Sequence, residues 1–331
     1  MKRAAVTIAL LASALAQGPS RPVETPKPEP AAGSVFKIDR YPKDPEPAAA
    51  PKPEDVKPNV LTYEGKPLKL PFECTEADIA GFGMTCTEQD PCPVFLELAS
   101  LQPLGQRIFA TGNLHNGSST MFSILLASDD AGKTWREGFE RVRSGGLDQI
   151  QFFDFESGWI SGQILLAMPR DPFFLITTDG GKNWRKRAVF SETRVAAIEQ
   201  FSFDTKTQGN LIIDRTQGAE TPRYEHHESM TGGESWTVRE VSGRALRLKS
   251  VKPSANADWR LDADAKLKAH RIQKKEGAKW STVVMFNVSV GECRPAPSVL
   301  SEPPPPPEPK VQTPPAPVRR PTGRPSLKKG K

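Results

Sequence analysis

An all-β fold built from one strand-rich unit, repeated around a ring, is predicted by three features of the 331-residue sequence. Four tryptophans, Trp135, Trp184, Trp236 and Trp280, each follow a Gly-containing turn and stand 49, 52 and 44 residues apart. Each of the first two turns is preceded by a short β-branched or aromatic run, at residues 121–127 and 173–177, of the kind that fits a pleated strand. A further apolar run lies about 20 residues upstream of each turn, at 107–110, 158–162, 210–213 and 258–261. Each period therefore has room for four short antiparallel strands, and a repeat of this length is that of a β-propeller blade.

Taken from the N-terminus, Lys2-Arg3, an apolar stretch over 4–15 and the small-residue site ending at Ala16 have the three-part layout of a secretory signal peptide. Residues 1–16 are read as that signal, so the mature chain is expected to be exported, periplasmic or extracellular. No later apolar run approaches the roughly 18–20 residues a spanning helix needs, so no transmembrane segment is expected after cleavage. Residues 17–58 hold 11 of the 33 prolines and read as a disordered, semi-extended spacer.

The body, residues 59–293, opens with apolar alternation at 60–63 and 68–72. This region and residues 283–290 are expected to close the ring together, giving four blades or a fifth, hybrid one. Cys74, Cys86, Cys92 and Cys293 are an even number in an exported chain and are disulfide candidates, with three pairings open. Their spacing has no C-x-x-C knuckle, so no metal site is expected. A bond from Cys293 to one of the other three would staple the ring, removing about 3–5 kcal/mol of unfolded-state entropy.

The turns have a chemical logic. An aspartate at a tight turn accepts hydrogen bonds from the turn's own N–H groups, glycine supplies positive φ, and tryptophan covers the hairpin. The first turn has Ser128, Asp130, Gly132, Thr134 and Trp135; the second has Thr177, Asp179, Gly181 and Trp184. The third, Ser229, Thr231, Gly233 and Trp236, has threonine for aspartate, and the fourth keeps little beyond Trp280. The aspartates are read as structural, and the later blades as held more by packing.

The full pattern S-x-D-x-G-x-T-W over 128–135 resembles the Asp-box, or BNR, repeat of sialidase-type β-propellers. The second unit, from Ser157-Gly158-Trp159 to Trp184, resembles the propellers of the photosystem II assembly and stability factor family and their bacterial relatives. That resemblance, over roughly residues 94–285, implies a non-enzymatic propeller with a protein partner and no cofactor.

A sialidase-like hydrolase would need an arginine cluster, a Tyr/Glu nucleophile pair and an acidic proton donor. Tyr224-Glu225 is the one adjacent pair of that kind in the body, and the R-x-P signature is absent. No nucleophile elbow, phosphate loop, H-E-x-x-H or dinucleotide fingerprint is present. No catalytic residue is assigned, and a glycan-binding or glycan-hydrolysing propeller stands as the alternative. Within 224–228, His226 and His227 point to opposite faces of a strand, so the cluster reads as a polar outer strand rather than a metal site.

Three insertions recur at similar phase, at 113–119 with Asn113, His115 and Asn116, at 168–172 with Met168 and Arg170, and at 217–222 with Gln217 and Glu220. They are expected to line one recognition face. Arg141, Arg143 and residues 185–187 follow the turns and read as solvated charge on outer strands. The tail, 294–331, has 13 prolines and 8 basic against 2 acidic residues, so it accounts for the whole net charge of +6. Such an arm suits an anionic envelope polymer. Nucleic acid is not an expected partner of an exported chain, and a structural envelope protein tethered by this tail is a further alternative.

Overall fold

A computed structural model describes residues 59–248 and 257–295. The signal, the proline-rich spacer and all of the basic tail beyond residue 295 lie outside them. In chain order the elements are β1 (Leu61–Thr62), α1 (Glu76–Gly81), β2 (Cys92–Leu104), β3 (Arg107–His115), β4 (Thr120–Ser128) and β5 (Thr134–Glu137). Next come β6 (Gly145–Phe152), β7 (Gly158–Leu165), β8 (Pro169–Thr177) and β9 (Arg185–Ala188). They are followed by β10 (Ala197–Phe203), β11 (Gly209–Asp214), β12 (Tyr224–Ser229) and β13 (Thr237–Ser242). The last strands are β14 (Trp259–Asp264), β15 (Ala269–Glu276), β16 (Lys279–Asn287) and β17 (Ser289–Cys293). No helix among the described residues is long and apolar enough to cross a membrane.

These strands form four antiparallel sheets of six, four, four and three strands. The chain is therefore nearly all β, with consecutive meanders consistent with a β-propeller. The fourth sheet runs β14-β15-β16. Residues 246–248, where a further strand would begin, are not in a strand.

The two ends of the body meet on the first sheet, whose order is β1-β5-β4-β3-β2-β17. Leu61 pairs with Trp135 on one edge and Cys293 with Cys92 on the other. Leu68 also bridges to Phe286 of β16, its N–H donating to Met285 at 2.8 Å. The end segments thus extend an existing sheet rather than forming one of their own among the described residues. Disulfides join Cys74 to Cys293, 219 residues apart, and Cys86 to Cys92. By loop-closure entropy the long bridge contributes on the order of 5 kcal/mol and the short one about 2.

Because the first and second sheets have a core on each face, their inner strands are apolar on both. In β4, Met121, Ile124 and Leu126 turn to a core shared with the fourth sheet, while Leu125 and Ala127 turn to a core shared with the second. A third core joins the second and third sheets through Trp159, Phe174, Phe203 and Leu211. The turn tryptophans wedge into these seams. Trp135 meets Phe286 of the fourth sheet edge-on at 5.1 Å, Trp184 meets Phe109 of the first at 6.0 Å, and Trp236 stacks on Phe174 of the second at 5.4 Å. Among the described residues Trp280 has no such neighbour, and it is capped by the guanidinium of Arg260 at 4.4 Å.

Candidate functional site

The turns are held by their own side chains. Asp130 accepts hydrogen bonds from the Thr134 N–H at 2.8 Å, the Thr134 hydroxyl at 2.7 Å and Ser128 at 2.9 Å. Asp179 does the same with Asn183 and Thr177. Burial alone would raise both carboxyls, yet these bonds hold both below the usual range, Asp179 at about 2. In the third turn the Thr231 hydroxyl accepts from the Ser235 N–H at 3.0 Å. Gly132 and Gly181 take φ of 90° and 83°, and a Cβ on Gly181 would lie 2.4 Å from the Phe109 ring.

A hollow of about 640 Å³ opens where the middle hairpins of the first two sheets meet. Glu97 of β2, Asn113 and His115 of β3, Asn116 in the following turn, Leu165 at the end of β7 and residues 166–167 after it line it. Asn116 fixes its turn by accepting from the N–H groups of Ser118 and Ser119 at 2.8 and 2.7 Å. Phe82 lies at the rim. It is positioned by α1, whose Thr75 and Asp78 form a capping box. Arg143 ties this arm down, pairing with Asp78 at 2.8 Å and lying 4.1 Å over the Phe82 ring.

Within the hollow, Glu97 and Asn113 are directly opposed in the β2–β3 ladder. The Asn113 Nδ2 donates to Glu97 at 3.1 Å, and its Oδ1 is buried without a partner. Close by, Asp148 occupies a bulge of β6 between Leu147 and Ile150. Burial pushes its carboxyl up, and the negative charge of Glu97 adds to the rise. Gln163 donates to it at 3.4 Å.

Of the three insertions expected on one face, all are the hairpins joining the second and third strands of their period. The first contributes Asn113, His115 and Asn116 to the hollow. Met168, 43% exposed, follows the lining residues of the second, and Arg170 pairs with Asp171 at 3.1 Å. Gln217 and Glu220, in and after a short 3-10 turn, are exposed and do not line the hollow. Sequence reasoning missed Glu97 and Asp148; the available signal was an acidic residue inside an apolar strand run, as in Leu96-Glu97-Leu98.

Residues 224–228 do not form an outer strand. β12 lies between β11 and β13, so alternate side chains are buried. Glu225 is 2% exposed and accepts from Arg215 at 2.9 Å, Arg223 at 2.7 Å and His227 at 3.0 Å. Burial would raise its carboxyl, but these bonds hold it at about 2. Tyr224 projects from the opposite face, so the Tyr/Glu pair is not assembled. His226 points away from His227 and bonds Asn210 at 3.0 Å. Arg141 is not a solvated charge on a strand either; it pairs with Glu137 and donates to the Pro71 carbonyl. Among the described residues no group of three or more His, Cys, Asp or Glu is placed to hold a metal ion.

No family model and no curated protein matches the chain. Among solved structures it is similar to YCF48 bound to D1 peptide, at 13% identity over 58% of this chain and 54% of that one, with a TM-score of 0.32. It is also similar to an alpha-L-arabinanase of Penicillium chrysogenum complexed with arabinobiose, at 14% identity over 68% and 66% of the two chains, with a TM-score of 0.31. The chain thus spans only 54% and 66% of those two solved chains. Likeness of this degree carries no argument about function.

Proposed function

We propose that this chain is an exported, non-catalytic Asp-box β-propeller that holds an extended segment of a protein partner, acting as a scaffold or assembly factor in the cell envelope. The observation that carries the reading is the hollow between the first two sheets. Its walls mix hydroxyl and amide groups with apolar Phe82, Leu165 and Leu166, a combination suited to peptide backbone and side chains together. The Asp-box turns serve the scaffold, and the basic tail adds weak, salt-sensitive attraction to anionic envelope polymer.

Crosslinking capture from the host envelope tests this, using the full mature chain, a version ending at residue 295, and L166E and S118E. A defined protein set lost with L166E and S118E is the expected result. Capture that needs only the tail, or that recovers polysaccharide alone, would overturn the reading. A second reading, glycan hydrolysis, is favoured by the Glu97 and Asp148 pair, since a carboxyl raised beside another carboxylate is the pattern of an acid catalyst. Turnover of fluorogenic glycosides abolished by D148N would establish it.

A further inference from the structure

We propose that Asn116-Gly117 is a self-modifying site, where the turn converts Asn116 to aspartate and β-linked aspartate without a second protein; the proposal does not depend on what the hollow binds. Three observations converge. First, the nucleophile is free. Asn116 is the one asparagine of the chain that is followed by glycine. Gly117 is exposed, its N–H makes no hydrogen bond among the described residues, and a Cβ built on it would meet nothing within 4 Å. Its nitrogen is thus open to solvent base and unobstructed on the way to the Asn116 Cγ, with which it closes a five-membered ring.

Second, the electrophile is activated. The Asn116 Oδ1 accepts from the Ser118 N–H at 2.8 Å, the Ser119 N–H at 2.7 Å and the Ser118 hydroxyl at 3.1 Å. Negative charge develops on Oδ1 when the nitrogen attacks Cγ, and three donors already aimed at that atom stabilise it as an oxyanion hole does. Asn116 is 6% exposed, so these bonds act where water competes little. All three fall on Oδ1; the leaving group, Nδ2, donates no hydrogen bond among the described residues.

Third, the attacking peptide group is polarised. The Nδ1 of His115 lies 2.9 Å from the Asn116 main-chain carbonyl oxygen, which can only accept, so Nδ1 carries the hydrogen. That bond draws electron density from the same peptide group that contains the Gly117 nitrogen and makes its N–H more acidic. Phe95 holds the imidazole at a ring separation of 5.8 Å, and the Asn116 N–H closes the turn on the Ser119 carbonyl at 3.0 Å.

The reaction consumes one water and releases one ammonia. Hydroxide takes the Gly117 N–H proton, the nitrogen bonds to Cγ, and the C=O electron pair moves onto Oδ1. The pair returns as the bond from Cγ to Nδ2 breaks, and Nδ2 leaves as ammonia with a proton from water. Water then opens the cyclic imide, at Cγ to give aspartate or at the main-chain carbonyl carbon to give β-linked aspartate. Either product adds a negative charge to the wall that Glu97 already lines, and the β-linked form lengthens the main chain of the turn by one methylene.

The test is incubation of the full mature chain in mildly alkaline heavy-oxygen water, followed by peptide mapping that separates asparagine, aspartate and β-linked aspartate at residue 116. A synthetic peptide of residues 110–124 gives the rate of the same sequence without the fold. The folded chain should take up heavy oxygen at Asn116 at least about tenfold faster than the peptide, because the donors are already in place. G117A, which no neighbour opposes, should slow the reaction by at least about tenfold by crowding the nitrogen. S118A and H115F, the latter keeping a ring against Phe95, should each slow it by about fivefold, the scale of one hydrogen bond. Melting curves matched to the parent chain show that these variants keep the fold. A folded rate at or below that of the peptide would mean ordinary Asn-Gly ageing and would overturn the proposal. Parent rates in both S118A and H115F would do the same, as would aspartate formed at the parent rate in G117A with no β-linked product, which is direct hydrolysis of the side-chain amide.

Discussion

Three neighbouring pairs of sheets share an apolar core, fourth with first, first with second and second with third, each wedged by the turn tryptophan of the later sheet. The third and fourth sheets share none among the described residues. The face of the third sheet turned away from its core bears Asn210, His226 and Glu240, and that of the fourth bears Arg271 paired with Asp262 and Asp264. The seam that lacks a core is the one whose turn keeps little of the pattern beyond its tryptophan, Trp280, which lies under Arg260 instead of a neighbouring sheet. The third turn, with Thr231 for the aspartate, still delivers Trp236 onto Phe174, so loss of the carboxylate alone does not open a seam. An Asp-box positions its tryptophan, and the tryptophan has value only where an apolar neighbour receives it.

The largest test of this contrast is Trp135→Ala against Trp280→Ala. Truncating the buried wedge should cost about 3–5 kcal/mol in urea unfolding. Trp280 should cost about 1, the scale of its cation–π contact. Equal losses would mean that the fourth turn also closes a seam.

Next in size is the staple. Cys293→Ser should cost about 2–5 kcal/mol in non-reducing melts, more than Cys86→Ser, because it frees the longer loop.

Acid should loosen the second-third seam, whose core lies beside the buried Glu225 and His227. His227, edge-on to Phe190, is lowered by burial more than Glu225 raises it. Its neutral form therefore contributes stability at neutral pH that is lost as pH falls below about 6.5, where the unfolded imidazole protonates first. The Glu225 contribution, present above 4.5, is lost as pH falls toward 2. Hydrogen exchange should show β11 and β12 losing protection before β3 and β4, and His227→Gln should delete the limb near pH 6.

The smallest effect is in the third turn. Thr231→Asp would restore the carboxylate acceptor for the Ser235 N–H and should gain up to about 1 kcal/mol, whereas Asp179→Ala in the second turn should lose about 1–2. A destabilising Thr231→Asp would show that this turn no longer follows the Asp-box geometry.

The strands and the first three turns were legible because their signals are local: period-two alternation and a glycine, aspartate and tryptophan within eight residues. Three features were not. The partner of Cys74 lies 219 residues away, beyond any spacing rule. Glu97 and Asp148 come from different sheets, and the rise that the Glu97 charge adds to the Asp148 carboxyl arises only through packing. Residues 224–228 looked like a solvated strand because side-chain charge was read without its counter-charges, though Arg215 and Arg223 flank the segment and bury Glu225 by neutralising it.

The Cys74–Cys293 bond also sets a schedule. The arm from Pro71 to Phe82 that forms one lip of the hollow is made early, but the cysteine that locks it is the last residue of the last strand. During synthesis the lip therefore stays unlocked until the body has emerged in full, and a chain cut short before residue 293 cannot fasten it. The bond makes completion of the whole body a condition for a finished lip.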